Sequence, residues 1–420
     1  MKISDKDRCI LRSLAGKQAE VASLPEHKEK IRMWKSLNAM KPERPMVWIN
    51  EIPWHEMDVD GELALQCENE FCRSVEDQIR KTLYQWKHLR GDMVVEPVFR
   101  TSLVLRDSGF GIAENTEIEK TDEASNVVSR EFIPQIQSLK DVKKIKMPEI
   151  YLDEEATERN FQALEWMFGD LLTVEKCGVG PIWFTIWDFL VRWYGVEEAM
   201  MDFVLKPELV HAAVERLLNA FMARLDRYEA LNVLSLNNQN VRIGSGGLGY
   251  CDELPQSGFD PVRVRTIDQW GCSNAQIFSE VSPEMHEEFS LRYERKWLER
   301  FGMTYYGCCE PLHNKLDILK SVPNLRKISV SPWADLGKTV ELAGDKYVLS
   351  HKPNPAIFAD ENWNPDRARK ELADMLLQAS GCSVEIIMKD ISTVRYEPHR
   401  LWEYADIALR AAEAAGQASV

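Results

Sequence analysis

The chain has 420 residues, of which 45% are hydrophobic and 28% charged, and its formal net charge is −15. That length is enough for one large α/β domain with additions or for two ordinary domains. Charge this negative argues against a nucleic-acid groove or an anionic membrane surface, since either needs clustered Lys and Arg, and directs attention to a small molecule or a protein partner.

No apolar run approaches the roughly 18 to 20 residues that span a bilayer, and the start Met1-Lys-Ile-Ser-Asp-Lys-Asp-Arg8 lacks a signal peptide's apolar segment. A cytoplasmic protein with no membrane partner is expected. Nine cysteines are spread without a disulfide-like rhythm, which suits a reducing compartment. Most of them, such as Cys67, Cys72 and Cys177, read as small buried hydrophobes.

In chain order, residues 1–44 read as charged helix ending at Pro42 and Pro45, followed by a strand over Met46–Ile52. A helix over 66–90 and a strand over Val94–Phe99 come next. Residues 104–150 are polar and irregular, a surface excursion. Alternation resumes with a helix from Glu154 to about Gly169, a strand over Leu171–Lys176 and a broken helical region from Ile182 to Leu231. The glycine-rich stretch Ser235–Tyr250 lacks the Lys-Ser/Thr of a phosphate-binding loop. Its part from Gly244 to Gly249 is expected to be mobile or partner-contacting rather than phosphate-binding.

The last part is the most regular, with strands expected over Ala275–Glu280, Met303–Cys308, Lys327–Ser331, Tyr347–Lys352 and Val384–Lys389. A single helix is expected over Pro283–Arg300, with Ser282 as its N-cap and proline at its first position. Eight strands with intervening helices predict an α/β fold, a (β/α)8 TIM barrel over residues 45–420 with an N-terminal helical extension over 1–44.

In such a barrel the strand ends converge, and the most informative of them is Met303-Thr-Tyr-Tyr-Gly-Cys-Cys-Glu-Pro-Leu-His313. Two adjacent thiols stand where a strand should end, the place where barrel enzymes put reacting side chains. The other strand ends add Asn50, Glu51, His55, Glu280, Trp333, Asp335, His351, Lys389 and Asp390. A Glu, Cys and His trio drawn from these strand ends, with either Cys308 or Cys309 as the thiolate, describes a zinc site with an open fourth position for a substrate oxygen or water.

Each assignment has a plain structural counterpart. Glu280, just before Ser282-Pro283, also suits a charge at a helix N-terminus. Either thiol also suits a small core residue, and His351 suits a hydrogen-bonded core histidine. His313 suits a helix face turned away from the site, and Lys389 and Asp390 suit an ion pair with each other. Trp48, Trp54, Tyr305, Tyr306 and Trp333 suit either an apolar pocket or ordinary core.

The run Asn274-Ala-Gln-Ile-Phe-Ser-Glu-Val-Ser-Pro283, the helix after it and the strand into Gly307-Cys308 resemble the uroporphyrinogen decarboxylase superfamily, especially its cobalamin-dependent methyltransferase branch. Arg44-Pro-Met-Val-Trp48 and Gly178-Val-Gly-Pro-Ile-Trp183 match that family's first and third strand regions, and the resemblance spans roughly residues 30–415. It implies a single barrel whose members either decarboxylate a porphyrinogen or move methyl groups with zinc and a corrinoid.

Two departures narrow the implication. Thiol-activating methyltransferases of the family carry His-x-Cys on the fifth strand and another Cys on the eighth, whereas Tyr306 and Cys308, then Lys389 and Asp390, stand here. The decarboxylases carry an arginine-rich loop after the first strand, whereas Asn50–Asp58 is acidic and would repel a polyanion. Members that demethylate methoxylated aromatic compounds vary their zinc ligands.

The resulting expectation is a zinc-dependent methyltransferase, cytoplasmic, moving a methyl group between a small, methoxylated aromatic type of substrate and a corrinoid carried by a partner protein. Glu280, Tyr306 and Asp390 are expected to be catalytic. Glu280, Cys308 and His351 are expected to hold Zn2+, and Asn50, Trp54, Tyr305 and Trp333 to bind substrate. A non-catalytic corrinoid- or partner-binding barrel and a decarboxylase or lyase of the same family type are the alternatives. A homodimer is left open.

Overall fold

The computed structural model describes residues 3–119 and 129–418; residues 120–128 of the polar excursion lie outside the described residues. The chain divides into two compact units, each assembled from separate segments. The first holds Met1–Val104, Asp153–Cys177 and Lys352–Val420, and the second holds Leu105–Leu152 and Gly178–His351. Among the described residues no helix is long and apolar enough to cross a membrane.

In the first unit the charged N-terminal segment forms helices Asp5–Ala22 and Glu26–Asn38. Apolar residues at helical spacing on the first of them, Leu11, Leu14 and Ala15, enter a core with Cys72, Val75 and Ile79 of helix Glu70–His88 and with Leu164, Met167 and Phe168 of helix Glu154–Phe168. Cys67 and Cys72 are buried there, and burial holds the Cys72 thiol at about 11, so these two read as core residues.

Two parallel strand pairs lie in this unit: Met46–Ile49 with Ser383–Met388, and Val98–Ser102 with Thr173–Cys177. The strand expected over Val94–Phe99 therefore starts four residues later, because Gly91–Val95 forms buried turns and coil instead. Asp92 ties the entrance to the first strand: its fully buried carboxylate accepts two hydrogen bonds from Arg44 at 2.7 and 2.9 Å and one from the backbone N–H of Val47 at 2.7 Å.

The second unit is organised on five parallel strands in the order Trp183–Phe184, Trp270–Ser273, Met303–Tyr306, Leu325–Val330 and Val348–His351. Strand Met303–Tyr306 is central in this run, and every residue of it is buried, as a parallel strand covered on both faces requires. The α/β class expected from the sequence is the class observed.

The strand expected over Ala275–Glu280 is displaced. The observed strand is Trp270–Ser273, and Gln276–Phe278 forms a 3₁₀ turn. The single helix expected over 283–300 is also interrupted. It starts as predicted, with Ser282 Oγ accepting from Met285 N–H, runs as α-helix over Pro283–His286, becomes a π-helix over Glu287–Leu291 and returns to α-helix over Arg292–Leu298.

Candidate active site

Within the second unit, strand Met303–Tyr306 ends at Gly307, whose φ is +95° and where an added Cβ would lie 2.6 Å from Leu312 Cδ1 and 3.0 Å from Ser329 Cβ. Only glycine fits this corner, and the turn delivers Cys308, Cys309 and Glu310 just past the strand. Cys308 is 8% exposed, Cys309 is half-buried, and their Sγ atoms lie 3.6 Å apart.

Glu310 is fully buried and anchors this corner. One carboxylate oxygen accepts from Cys308 N–H at 2.9 Å and the other from Ala275 N–H at 3.0 Å, so one side chain ties two strand ends together. Ser329 Oγ, on the next strand, donates to the carbonyl of Cys308. Buried Lys315 donates to the carbonyl of Phe278. Burial lowers its ammonium to about 8, against the opposing pull of Glu310 and Glu280.

Behind the thiols runs a chain of buried polar groups. His286 Nε2 lies 2.7 Å from the Tyr306 hydroxyl oxygen, and Tyr306 donates to Glu294 Oε2 at 2.6 Å. Glu294 Oε1 lies 2.9 Å from Ser273 Oγ, which is also 2.9 Å from the carbonyl of Phe184. A serine has one hydroxyl proton and here two acceptors. Both contacts are satisfied when Glu294 is protonated and donates to Ser273, which in turn donates to Phe184.

Burial pushes the Glu294 carboxyl up to about 7, although its hydrogen bonds to Tyr306 and Ser273 oppose the rise. Burial pushes His286 the other way, down to about 3, with Lys315 adding to the effect, so the imidazole is neutral. Since Tyr306 gives its proton to Glu294, His286 carries its own on Nε2; among the described residues its buried Nδ1 has no hydrogen-bond partner.

The π segment makes this convergence possible. In an uninterrupted α-helix, residues eight apart are turned about 80° from each other. Five residues of π-helix reduce the accumulated rotation to nearly two full turns. His286 and Glu294 therefore reach the same phenol.

The glycine-rich stretch expected to be mobile is buried: Ile243, Ser245, Leu248 and Tyr250 are each at most 4% exposed. Gly244, with φ +56°, lies against the Tyr305 ring, where an added Cβ would come within 2.4 Å of a ring carbon. Ser245 Oγ is 2.9 Å from the Tyr305 hydroxyl and 3.2 Å from the carbonyl of Gly307. Gly244 allows close approach to an aromatic ring and Gly249 close approach to the carbonyl of Asn237 and the Ile243 side chain, which sequence spacing does not distinguish from loop freedom.

The second unit places the remaining expected residues differently. Tyr305 is fully buried against that loop, and Trp333 is 68% exposed. His351 ends strand Val348–His351 as expected, in register with Val330. His313 Nδ1 accepts from Asp335 N–H at 3.2 Å, and Asp335 caps the helix Leu336–Ala343. Glu280 is exposed in the turn before Ser282, well past the strand it was expected to end.

Among the described residues no three His, Cys, Asp or Glu side chains are placed to hold a metal ion. Glu280, Cys308 and His351 accordingly form no such group here. The displaced strand leaves Glu280 in an exposed turn.

In the first unit, Asn50 extends strand Met46–Ile49 by donating its N–H to the carbonyl of Met388, and its side chain accepts from Glu51 N–H at 2.8 Å. Trp54 meets Tyr84 edge-on at 5.9 Å, with Lys81 over its ring. Asp390, exposed and at φ +56°, accepts from the buried Lys389 ammonium at 2.6 Å, and Glu51 lies 3.4 Å from the same nitrogen. The ion pair that stood as the structural reading of Lys389 and Asp390 is thus present.

The sequence reading missed Glu294 and His286, which lie within the stretch expected to be a single helix over Pro283–Arg300. The cue available was a glutamate and a histidine among the apolar positions of that helix. No family model matches the chain, and no curated protein does. Among solved structures it is similar to a methyltransferase from Methanosarcina mazei, with 13% sequence identity over 92% of this chain and 98% of that chain and a TM-score of 0.50, a likeness in fold.

Proposed function

We propose that this protein is a methyltransferase that moves a methyl group between a small molecule and a corrinoid held by a second protein. The observation that carries the reading is the thiol pair Cys308–Cys309, set just past the central strand of the second unit by the buried carboxylate of Glu310. A likeness in fold to a methyltransferase and the family resemblance of Asn274–Cys308 support it. The closed (β/α)8 barrel expected from the sequence belongs to the same proposal.

In this reading the corrinoid supplies the nucleophile that takes the methyl group. The chain's own residues do the rest. Glu310 fixes the peptide that carries Cys308, so the sulfurs are held in one place and little reorganisation is needed when substrate arrives. The buried chain from His286 to Ser273 excludes water from behind the corner and holds its protons on defined atoms. No step is assigned to zinc.

The test is to mix the purified protein with a cobalt(I) corrinoid protein and a panel of methoxylated aromatic compounds and methylated amines, and to follow the cobalt absorbance. Formation of methylcobalt with at least one donor, strongly reduced in Glu310→Gln, is expected. A donor turned over equally well with no corrinoid protein present would overturn the corrinoid assignment. Absence of methylcobalt across the panel in both directions of transfer would overturn the methyltransferase reading.

A further inference from the structure

We infer that Cys308 and Cys309 form an oxidisable dithiol that closes to a disulfide between neighbouring residues when it meets a hydroperoxide. The two sulfurs are already in van der Waals contact at 3.6 Å, and both sit on the single turn that follows strand Met303–Tyr306. Cys309 is the more accessible of the two and Cys308 lies almost buried behind it, an arrangement of attacking and resolving thiols.

The reaction balances with the peroxide as the oxidant. The Cys309 thiolate gives its electron pair to the outer oxygen of the hydroperoxide, the O–O bond breaks, and a sulfenic acid forms as water or an alcohol leaves. The Cys308 sulfur then attacks the sulfenic sulfur, an S–S bond forms, the S–O bond breaks and a second water leaves. Two thiols are oxidised and one peroxide is reduced.

The same geometry makes the product readily reversible. Adjacent Cα atoms are about 3.8 Å apart, less than the roughly 4.4 to 6.8 Å usual across a disulfide, so closure twists the peptide between them and leaves a bond that thiols reduce easily. That peptide is anchored on both sides here: Cys308 N–H donates to Glu310, and the Cys308 carbonyl accepts from Ser329. Closing the ring strains both bonds, so oxidation is transmitted to the anchor that ties strand Met303–Tyr306 to Ala275.

The inference is independent of the methyl-transfer reading, because its test is a mass and needs no substrate. Full-length protein is treated with one to a few equivalents of hydrogen peroxide, and intact mass, peptide mapping and thiol titration are recorded. A loss of about 2 Da confined to the peptide holding both cysteines is expected, with about two thiols lost per chain and full recovery in dithiothreitol. Amide exchange over residues 304–310 should rise in the oxidised form. The measurement is made on the unaltered chain, so it does not depend on a variant folding. Oxidation that stops at added oxygen on either cysteine, or a 2 Da loss that maps to other cysteines, would overturn the inference; a Cys9→Ser chain, lacking the exposed thiol, should behave as the parent does.

Discussion

The phenol of Tyr306 donates to the carboxyl of Glu294 at 2.6 Å, and neither side chain is exposed to solvent. Because burial raises the carboxyl to about 7, folding should depend on pH through this contact. Glu294 binds a proton more tightly folded than unfolded, so its contribution is fully present below the unfolded carboxylate range and is lost as pH rises through about 7. The wild type should lose on the order of 3 kcal/mol from this group between about pH 4.5 and 8. Glu294→Gln keeps an acceptor for Tyr306 and a donor for Ser273 and should remove that slope. Urea unfolding across the range, showing identical slopes in the two proteins, would refute the assignment.

His286 titrates in the opposite sense. Its folded value is held near 3, so the unfolded chain takes up the proton first and stability is lost as pH falls below the ordinary histidine range. The loss from this group should reach on the order of 4 to 5 kcal/mol by about pH 3. His286→Gln, which can still donate to the Tyr306 oxygen, should be less sensitive to acid than the parent relative to its own stability at neutral pH. Acid titration followed by tryptophan fluorescence measures this, and an unchanged acid midpoint relative to neutral stability would count against it.

Two glycines separate backbone cost from steric cost. Gly244 and Gly258 both have positive φ, but only Gly244 faces a wall, the Tyr305 ring, whereas an added Cβ at Gly258 meets nothing within 4 Å. Gly258→Ala should cost about 1 to 2 kcal/mol. Gly244→Ala should cost about 2 to 5 kcal/mol, because overpacking adds to the same backbone term. Equal losses in thermal unfolding would mean that the loop gives way around the ring.

In the first unit, Asp92→Asn should destabilise by about 3 to 5 kcal/mol, since it removes the charge opposing Arg44 and turns an acceptor of the Val47 N–H into a donor. Arg44→Lys should be milder, because an ammonium keeps the charge but loses the two-pronged contact. Chemical unfolding of the two variants checks the order, and reversal would show that the fork geometry matters more than the buried charge.

Much of the α/β order was legible because period and punctuation are local properties. Ser282-Pro283 marks a helix start wherever it occurs, and the structure starts a helix there. The strand before it was misplaced by several residues because Ala275-Gln-Ile-Phe has strand-like composition, while its backbone turns so that Ala275 N–H can meet Glu310, a partner 35 residues away. The strand leading to Cys308 was legible from its pattern, although it ends at Tyr306 and leaves Cys308 on the turn that follows; the role of Glu310 was not, since a buried carboxylate is recognised by its donors and not by its neighbours in sequence. The surroundings of two aromatic residues were not legible for the same reason. Tyr305 is enclosed by a loop whose glycines read as freedom, and Trp333 is largely exposed.

The π segment over Glu287–Leu291 acts like a vernier on this helix. It lets the chain count eight residues between His286 and Glu294 while turning them through the angle that seven would give in ordinary α-helix. Deleting one residue from it would straighten the helix, and the count and the angle would then agree again without help. A related chain without the bulge therefore needs its acid one position closer to its imidazole to hold the same phenol, so the spacing of those two residues and the presence of the bulge should change together or not at all.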